Sequence, residues 1–425
     1  MKRLISRRHL LTTAAAAAGS AALPLPSVGQ GSAGRVAVVG GGFAGATCAR
    51  FLKAIEPKLI VTLVEASPVF VACPLSNSVI AGLRDIQAQQ FTLDKLAGEG
   101  VALTRAPASA IDNQARVVTL TNNARVSYDR LVLAPGIDIN WDALPGYNEA
   151  ASESMPHAWK AGEQTLLLRR QLEGMEDGGT VIISAPANPF RCPPGPYERA
   201  SLIAFYLKTR KPKSKLIVLD AKDAFSKQRL FQNAWKELYP GILEWVSLSA
   251  GGNVASVDTA SKTLITDFGS HKASVANVIP PQKAARIAQL AGVTDRSGWC
   301  PVEPVTFEST QQPNVHVIGD AAIMGAMPKS AFSANAQAKV CAAAIARLLA
   351  GRKPEQPKLI NTCYSLVAPD YGISIAAVYR AADGQLREVE GSAGVSPLDA
   401  PSSTRAMEAS LANGWFNTIT EEVFG

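Results

Sequence analysis

The sequence is poor in the side chains and spacings that build metal and haem sites. It has four histidines and six cysteines in 425 residues, and no two cysteines are spaced as C-x-x-C. The C-x-x-C-H motif that attaches haem covalently is therefore absent, and no cluster has the spacing of a zinc site. These absences exclude a covalently attached haem on this chain, and we expect no metal site.

Long apolar runs are also lacking beyond residue 34. The longest candidate, AKVCAAAIARLLAG, is too short to cross a bilayer and contains two basic residues, so a buried helix is predicted and no transmembrane anchor is expected. The formal net charge is +7, yet without Lys2, Arg3, Arg7 and Arg8 it falls to about +3. A chain so near neutrality gives no indication of a nucleic-acid partner.

Residues 1–34 have the composition of an export signal. A basic start, MKRLISRRHLL, precedes the small and apolar TTAAAAAGSAA. The pair Arg7-Arg8 with two leucines behind it resembles a twin-arginine signal, which exports proteins already folded. An ordinary secretory signal is the alternative, but the weak hydrophobicity of the apolar segment favours the twin-arginine type. We therefore expect a periplasmic protein whose signal is removed, working where disulfides persist.

A glycine-rich turn opens the chain beyond the signal. The apolar run Val36 to Val39 leads into Gly40-x-Gly42-x-x-Gly45 and then into a helical pattern. Gly40 permits a tight turn, Gly42 lets the backbone approach a pyrophosphate, and Gly45 lets helix and strand pack closely. The next strand, LIVTLVE, ends in Glu65, an acid placed to accept hydrogen bonds from ribose hydroxyls. FAD or NAD is thus favoured over a cofactor with a 2′-phosphate.

Two later motifs favour FAD over NAD. The first, YDRLVLAPG, is typical of a strand and turn ending at Gly136, and the second, NVHVIGDAA, places Asp320 between a strand and a predicted helix. In flavoproteins with two dinucleotide-binding domains, this order places an aspartate on the ribityl chain of the flavin. Asp320 as a simple helix N-cap is the alternative. The succession of the three motifs predicts an FAD site.

A second strand–loop–helix unit has no glycine-rich loop. The strand GTVIIS leads through SAPANPFRCPPG to a helix predicted at Tyr197–Lys208, and a further strand ends in Asp220. Prolines lack N–H donors and fix φ, so this loop cannot cradle phosphates through its backbone. We infer that NAD(P)H is not the electron donor and that Cys192 is the most reactive residue type on the loop.

The partner of Cys192 is not settled by spacing. Cys363 is the best candidate, and it lies after a proline-rich linker, GRKPEQPK, that marks a C-terminal domain. Cys48 and Cys341 lie on apolar helical faces and are predicted to be small buried side chains, whereas Cys300 is ambiguous.

These patterns predict an α/β fold with two Rossmann-like dinucleotide-binding domains of the disulfide-reductase-like flavoprotein type and a C-terminal α+β domain. The predicted divisions are the export signal at 1–34, the FAD-binding domain at 35–150 and 276–352, the second Rossmann-like domain at 151–275, and the C-terminal domain at 353–425.

The motifs resemble those of the flavoprotein subunit of flavocytochrome c sulfide dehydrogenase and the related flavoprotein of sulfur-oxidation systems. The resemblance runs from Arg35 to Gly425 and is most specific in PHAWKAGEQT, PFRCPPGPYERAS, VIPPQKA, GWCPV, MPKSAFSANAQAK and NTCYSLVAPDYGIS. It implies FAD attached covalently through Cys73, although Pro74 stands where some members have an aromatic residue. Tightly bound noncovalent FAD beside an ordinary buried thiol is the alternative.

The resemblance also implies the remaining site residues. It pairs Cys192 with Cys363 as a redox-active disulfide beside the flavin and makes Glu198 an active-site base. A glutamate in the first turn of a helix is equally what helix electrostatics favours. Trp415 matches an aromatic residue near the other face of the flavin, and a plain core tryptophan is the alternative.

The implied function is oxidation of sulfide to zero-valent sulfur or polysulfide, with electrons passed to a c-type cytochrome subunit that carries the haem. Two alternatives stay open. One is a sulfide:quinone oxidoreductase, although the C-terminal segment STRAMEASLANGWFNTITEEVFG would be a thin membrane anchor. The other is a non-catalytic flavoprotein that assists sulfur-oxidising proteins.

Overall fold

The structure is a computed structural model that describes residues 34–425. The predicted export signal, apart from Gly34, lies outside the described residues. Within 34–425, no helix combines the length and the apolar content that crossing a bilayer requires.

The first part of the chain builds most of a parallel sheet. Its elements, in chain order, are β1 (Arg35–Val39), α1 (Phe43–Ile55), β2 (Ile60–Val64), β3 (Phe70–Val71), α2 (Ser76–Ile80), β4 (Gln90–Phe91), α3 (Asp94–Gly98), β5 (Ala102–Thr104), β6 (Ala108–Asp112), β7 (Val117–Leu120), β8 (Arg125–Ser127), β9 (Arg130–Leu133) and β10 (Ile137–Ile139). The strand β1 is buried along all but its first residue, as expected for the middle of a parallel sheet covered on both faces.

The central part forms a second parallel sheet and a small antiparallel one. Its elements are α4 (Glu163–Gly174), β11 (Thr180–Ala185), α5 (Gly195–Arg210), β12 (Lys215–Asp220), α6 (Gln228–Leu238), β13 (Leu243–Val246), β14 (Val254–Asp258), β15 (Thr263–Thr266), β16 (Gly269–Lys272) and β17 (Val275–Val278). The parallel strands lie in the order β13-β12-β11-β17. The helix predicted at Tyr197–Lys208 begins earlier, at Gly195, because Pro196 fits the first turn of a helix.

The last part returns to the first sheet and then adds an antiparallel sheet under a long helix. Its elements are β18 (Gln282–Ala284), α7 (Arg286–Leu290), β19 (Cys300–Pro301), β20 (Val315–Val317), β21 (Ala322–Ile323), α8 (Ala331–Leu349), β22 (Lys358–Ala368), β23 (Tyr371–Ala382), β24 (Gln385–Glu388), β25 (Gly394–Val395) and α9 (Ser402–Phe424). The strand β20 pairs with β9, completing the parallel order β20-β9-β1-β2-β5.

Helix packing brings these three parts together around one place. The strand β22 packs against α5 of the central part, and α9 packs on β22 and β23. The helix α2 of the first part also contacts α5. Consequently the loop before α5, the loop after β2 and the strand β22 meet, and that meeting point is where most of the predicted site residues lie.

Candidate active site

A cavity of about 370 Å³ lies where the three parts meet. Ten of the eleven predicted site residues line it, namely Gly40, Gly42, Glu65, Cys73, Gly136, Cys192, Glu198, Asp320, Cys363 and Trp415. Gly45 is the exception, since it lies behind the turn that forms one wall of the cavity. One cavity therefore joins residues that the sequence spreads over more than three hundred positions.

The glycine-rich turn has the tight geometry that its pattern predicts. Gly40 has a φ of +102°, and a Cβ there would lie 2.3 Å from the carbonyl oxygen of Ala134. A Cβ on Gly45 would lie 1.8 Å from the carbonyl oxygen of Gly40, so helix α1 crosses the turn at backbone contact. Gly42 is the N-cap of α1 and faces the cavity, where the free N–H groups of the first turn can meet an anion.

Replacing Gly45 with alanine should destabilise the protein, because backbone atoms would have to move to admit a methyl group. We expect a cost of at least about 2 kcal/mol, seen as a lower thermal-unfolding midpoint by circular dichroism. Gly414 provides a matched control, since it lies in helix α9 and, apart from its chain neighbours and the backbone of its own helix, no atom lies within 4 Å of the place that a methyl group would take. Gly414→Ala should hold or slightly raise the midpoint through helix propensity. Equal effects of the two substitutions would contradict the close approach.

Glu65 follows β2 and closes the same wall of the cavity. Its carboxylate accepts hydrogen bonds from the N–H of Gly41 at 2.6 Å and from the N–H of Ser67 at 2.8 Å. A carboxylate has about four acceptor positions, so two local bonds leave capacity for ribose hydroxyls. The arrangement fits the role that the sequence predicts for this acid.

Asp320 supplies an independent test of whether the cavity fits FAD. Its Oδ1 atom is buried and has no hydrogen-bond partner, and its Oδ2 atom lies 3.7 Å from Arg191. A buried carboxylate oxygen without a donor is costly, so a ligand hydroxyl at this point would satisfy it. The ribityl chain of FAD carries such hydroxyls. The residues present therefore fit the group.

The helix predicted to follow Gly319-Asp320 does not begin at once, and Asp320 is not a helix N-cap, because it lies within a single 3-10 turn, Gly319–Ala321. The chain instead forms β21, which pairs with β19, and α8 begins only at Ala331. The N-cap of α8 is Ser330, whose side chain accepts from the N–H of Ser333. Apolar residues following Asp320 suited a helix by composition, but strand pairing to a distant segment decided their conformation.

Cys73 lies in the loop after β3, half-buried and facing the cavity. Its sulfur is 3.9 Å from the carbonyl oxygen of Trp159. Two cations, the half-buried Arg191 and the fully buried Arg199, are electrostatic neighbours of this residue.

Cys192 and Cys363 meet in the same cavity from different parts of the chain. Cys192 lies on the loop before α5 with a φ of +58°, and Cys363 lies on β22. Burial raises the pKa of the Cys192 thiol well above its usual value, and the neighbouring Cys363 adds to the rise, so the two sulfurs are electrostatic neighbours. All six cysteines are free thiols in this structure, so the Cys192–Cys363 disulfide stays a prediction.

Glu198 links three elements beside these cysteines. Its Oε2 atom accepts from the side chain of Asn77 at 2.9 Å, and its Oε1 atom accepts from the N–H of Leu366 at 2.9 Å. Burial raises the pKa of this carboxyl, and the two hydrogen bonds offset part of the rise. Neither bond is to the N-terminal amides of its own helix, so helix electrostatics alone does not account for its position.

Trp415 lies on α9 at the edge of the cavity, half-buried, with its ring stacked on Phe332 at a centroid distance of 6.2 Å. It also packs at an angle against Tyr364 on β22. A tryptophan that faces a cavity differs from one enclosed in the core, and the aromatic wall it forms suits a flat ring system.

Sequence reasoning missed Arg199, which is buried beside the cavity. Its guanidinium donates to Asn77 Oδ1, Asn277 Oδ1 and the carbonyl oxygens of His157 and Ala158, and it lies over the Trp159 ring at 4.9 Å. Burial lowers its pKa to about 10. A basic residue near the N-terminus of a helix is unfavourable because of the helix dipole. Its presence there was the sequence feature that could have indicated a specific role for Arg199.

The acid at the end of β12 is hydrogen-bonded to side chains of the protein itself. Asp220, at the end of β12, is fully buried and accepts hydrogen bonds from Tyr197 at 2.6 Å, Trp245 at 2.9 Å and Lys222 at 2.6 Å. Tyr197 also stacks on Phe225 with ring centroids 3.6 Å apart. An acid that would otherwise bind a ribose is thus engaged by a phenol, an indole and an ammonium group.

Metal ligands do not gather in the described part of the chain. Within residues 34–425, no three histidine, cysteine, aspartate or glutamate side chains come together as a group that could hold a metal ion.

Three family models match the chain along most of its length. Residues 34–170 match the model for pyridine nucleotide-disulphide oxidoreductase. Residues 165–280 match the central region of the sulfide dehydrogenase [flavocytochrome c] flavoprotein chain, and residues 355–424 match the flavin-binding region of flavocytochrome c sulphide dehydrogenase. The chain thus carries a flavin-binding domain around the cavity described above.

Curated relatives and solved structures agree with these matches. The chain is 56% identical over 45 residues to the sulfide dehydrogenase [flavocytochrome c] flavoprotein chain of Chlorobaculum thiosulfatiphilum, covering 11% of this chain and 94% of that sequence. It is 28% identical over 177 residues to the sulfide-quinone reductase of Aquifex aeolicus, covering 41% of this chain and 40% of the relative. The solved structure of a sulfide:quinone oxidoreductase from Aquifex aeolicus superposes with a TM-score of 0.73 at 17% identity, covering 92% of each chain. This likeness, together with the two parallel sheets, confirms the predicted fold class.

Proposed function

The chain belongs to the family of flavoprotein chains of flavocytochrome c sulfide dehydrogenase, and we propose that it oxidises hydrosulfide to zero-valent sulfur or polysulfide. The observation that carries the proposal is the meeting of Cys192 and Cys363 in a cavity whose other residues fit FAD. The electrons pass to a c-type cytochrome subunit, which carries the haem.

Most of the residues that would hold FAD come from the first part of the chain, and Asp320 and Trp415 come from the last part. The turn at Gly40 and Gly42 would hold the pyrophosphate, Glu65 the ribose and Asp320 the ribityl chain, and Cys73 would be the residue that attaches the cofactor through a thioether. Gly136 and Trp415 complete the walls. When bound, FAD accepts an electron pair and releases electrons singly, which suits a one-electron cytochrome acceptor.

The sulfur chemistry belongs to the cysteine pair. Hydrosulfide attacks one sulfur of the Cys192–Cys363 disulfide, the S–S bond breaks, and the attacked cysteine carries a persulfide while the other leaves as a thiolate. Release of zero-valent sulfur and one proton would restore the disulfide, with the two electrons going to the bound flavin as the oxidant. The half-burial of both cysteines at the cavity supports access of a small anion to them.

Electron entry from NAD(P)H is not part of the proposal. A dinucleotide would need the acid at the end of β12, and Asp220 is already engaged by Tyr197, Trp245 and Lys222. The proline-rich loop that holds Cys192 also lacks the N–H donors of a phosphate cradle. The place of work is the periplasm, which rests on the predicted signal at residues 1–34.

Comparison of electron acceptors tests the proposal. The purified protein with its cytochrome subunit should oxidise sulfide rapidly with cytochrome c and slowly with a soluble quinone. The reverse order would favour a sulfide:quinone oxidoreductase, the alternative that the fold likeness supports. Negligible turnover with either acceptor, together with stimulation of other sulfur-oxidising proteins, would favour a non-catalytic role.

Glu198→Gln tests whether this carboxyl acts as a base. Because burial raises its pKa, the wild-type rate should fall as the pH drops through that raised value and the carboxylate takes up a proton. The substitution should slow sulfide-dependent flavin reduction by about 10²-fold and remove this acid limb, as measured by stopped-flow absorbance across pH. An unchanged rate and profile would leave Glu198 only the linking role of its two hydrogen bonds.

A further inference from the structure

Lys227 is a buried lysine that the proposed chemistry does not yet use. It precedes helix α6 with a φ of +62°, and its side chain is almost fully enclosed. The ammonium donates to the carbonyl oxygen of Cys363 at 2.8 Å and to the hydroxyl of Ser365 at 2.8 Å, both on β22. A cation of the central part is thus fixed against the strand that carries one of the two site cysteines.

This ammonium has no carboxylate within ion-pair distance. Among residues 34–425, no carboxylate oxygen lies within 4.0 Å of Lys227, whereas Lys222, another buried lysine of the central part, pairs with Asp220 at 2.6 Å. Lys227 acts on Glu198 only at longer range, where it opposes the rise that burial causes in the pKa of that carboxyl. A buried charge without a directly paired counterion is costly, and an ammonium has three donors of which two are used here. An anion that forms only during the reaction would explain why a cation is held at this point.

The two site cysteines differ in the charges around them. Burial raises the pKa of both thiols, and Lys227 is the strongest influence opposing that rise at Cys363. Glu198 adds to the rise at both thiols. At Cys192 the neighbouring Cys363 adds to it further, and Arg191 opposes it ahead of Lys227, whose effect is the smallest of the four. The charged and titratable groups that face the pair from the elements packed around it are Arg191, Glu198, Arg199, Lys227 and Tyr379.

We propose that Lys227 is a positioning residue that sets the direction in which the disulfide opens, by stabilising the thiolate of Cys363. Hydrosulfide then forms its bond to Cys192, the bond between the two cysteine sulfurs breaks, and its electron pair stays on Cys363. Cys192 carries the persulfide with the proton of hydrosulfide. No further oxidant is needed for this step, and the assignment rests on the proposed function.

Alkylation of the reduced holoprotein measures the two thiolates separately. Iodoacetamide would be applied from pH 6 to pH 10, with the modified Cys192 and Cys363 peptides quantified by mass spectrometry. In the wild type, we expect the alkylation rate of Cys363 to reach half its maximum at a lower pH than the rate of Cys192. Lys227→Met should raise the pH of half-maximal alkylation of Cys363 by about one pH unit. At a pH below that midpoint, this corresponds to about a tenfold smaller thiolate fraction, and the midpoint of Cys192 should shift by less.

Two variants separate charge from structure. Lys227→Arg keeps the charge and should keep the midpoint of Cys363 near its wild-type value. Lys236→Met removes an exposed charge from the same helix and should change neither midpoint. The proposal would be overturned by a wild-type protein in which Cys192 has a lower midpoint than Cys363. An unchanged Cys363 midpoint in Lys227→Met would overturn it as well. Retained flavin absorbance would show that each variant is folded.

A second readout distinguishes this proposal from the proposed function. Lys227→Met should slow sulfide-dependent flavin reduction by about tenfold, and Lys227→Arg should restore most of the rate. A wild-type protein that sulfide does not reduce would refute the sulfide-oxidising function, whatever the alkylation midpoints. Normal sulfide reduction without the expected order of midpoints would refute only the role of Lys227.

Discussion

Cys192→Ser and Cys363→Ser should each abolish flavin reduction by sulfide while leaving FAD bound. A serine oxygen cannot form the disulfide, so hydrosulfide has no sulfur to attack, and the loss should reach about three orders of magnitude. The two residues line the cavity from the central part and from β22, so each substitution removes one half of a single reacting pair. The measurement is stopped-flow absorbance of the flavin after anaerobic mixing with sulfide.

The same experiment has a matched control within the chain. Cys341 is a fully buried thiol on α8 that does not line the cavity, so Cys341→Ala should keep the wild-type rate. Because the two cysteines act as a unit, the double variant should be no slower than either single variant. Rapid flavin reduction in either single variant would rule out the disulfide route.

Cys73→Ser should convert covalently attached FAD into FAD that acid releases. Cys73 is half-buried and lines the cavity together with Arg191 and Arg199, so its sulfur is accessible to a cofactor bound there. Essentially all the flavin of the wild type should stay with the acid-precipitated protein, and essentially all should leave it in the variant. Scanning the absorbance of pellet and supernatant gives both fractions.

Release of FAD from the wild-type protein by acid would contradict the covalent linkage. Free FAD in the wild-type supernatant would show that Cys73 is an ordinary half-buried thiol and that the cofactor is held by noncovalent contacts alone. Cys300→Ser is the control, because Cys300 is fully buried and does not line the cavity. It should leave the flavin in the pellet.

Local patterns in the sequence predicted local features of this fold. The turn at Gly40 and Gly45 and the acid Glu65 follow from backbone geometry and strand length within a short segment, and the structure has them as expected. The proline-rich loop at Cys192 predicts the loss of a phosphate cradle, and this stays a prediction. Such features depend on residues a few positions apart.

Features that depend on distant segments could not be predicted in this way. The meeting of Cys192 with Cys363 is set by the packing of β22 on α5, and the sequence alone left several pairings open. The strand after Asp320 pairs with β19, which overrode its helical composition. The ammonium of Lys227 reaches β22 from the start of α6, and nothing in its neighbouring sequence indicates burial.

An anaerobic titration of the purified, oxidised holoprotein tests the central claim most directly. Sulfide should bleach the flavin in a stoichiometric titration, since each sulfide supplies two electrons through the Cys192–Cys363 pair, and NADH in excess should leave the spectrum unchanged. Bleaching by NADH, or a flavin that excess sulfide does not reduce, would contradict the account.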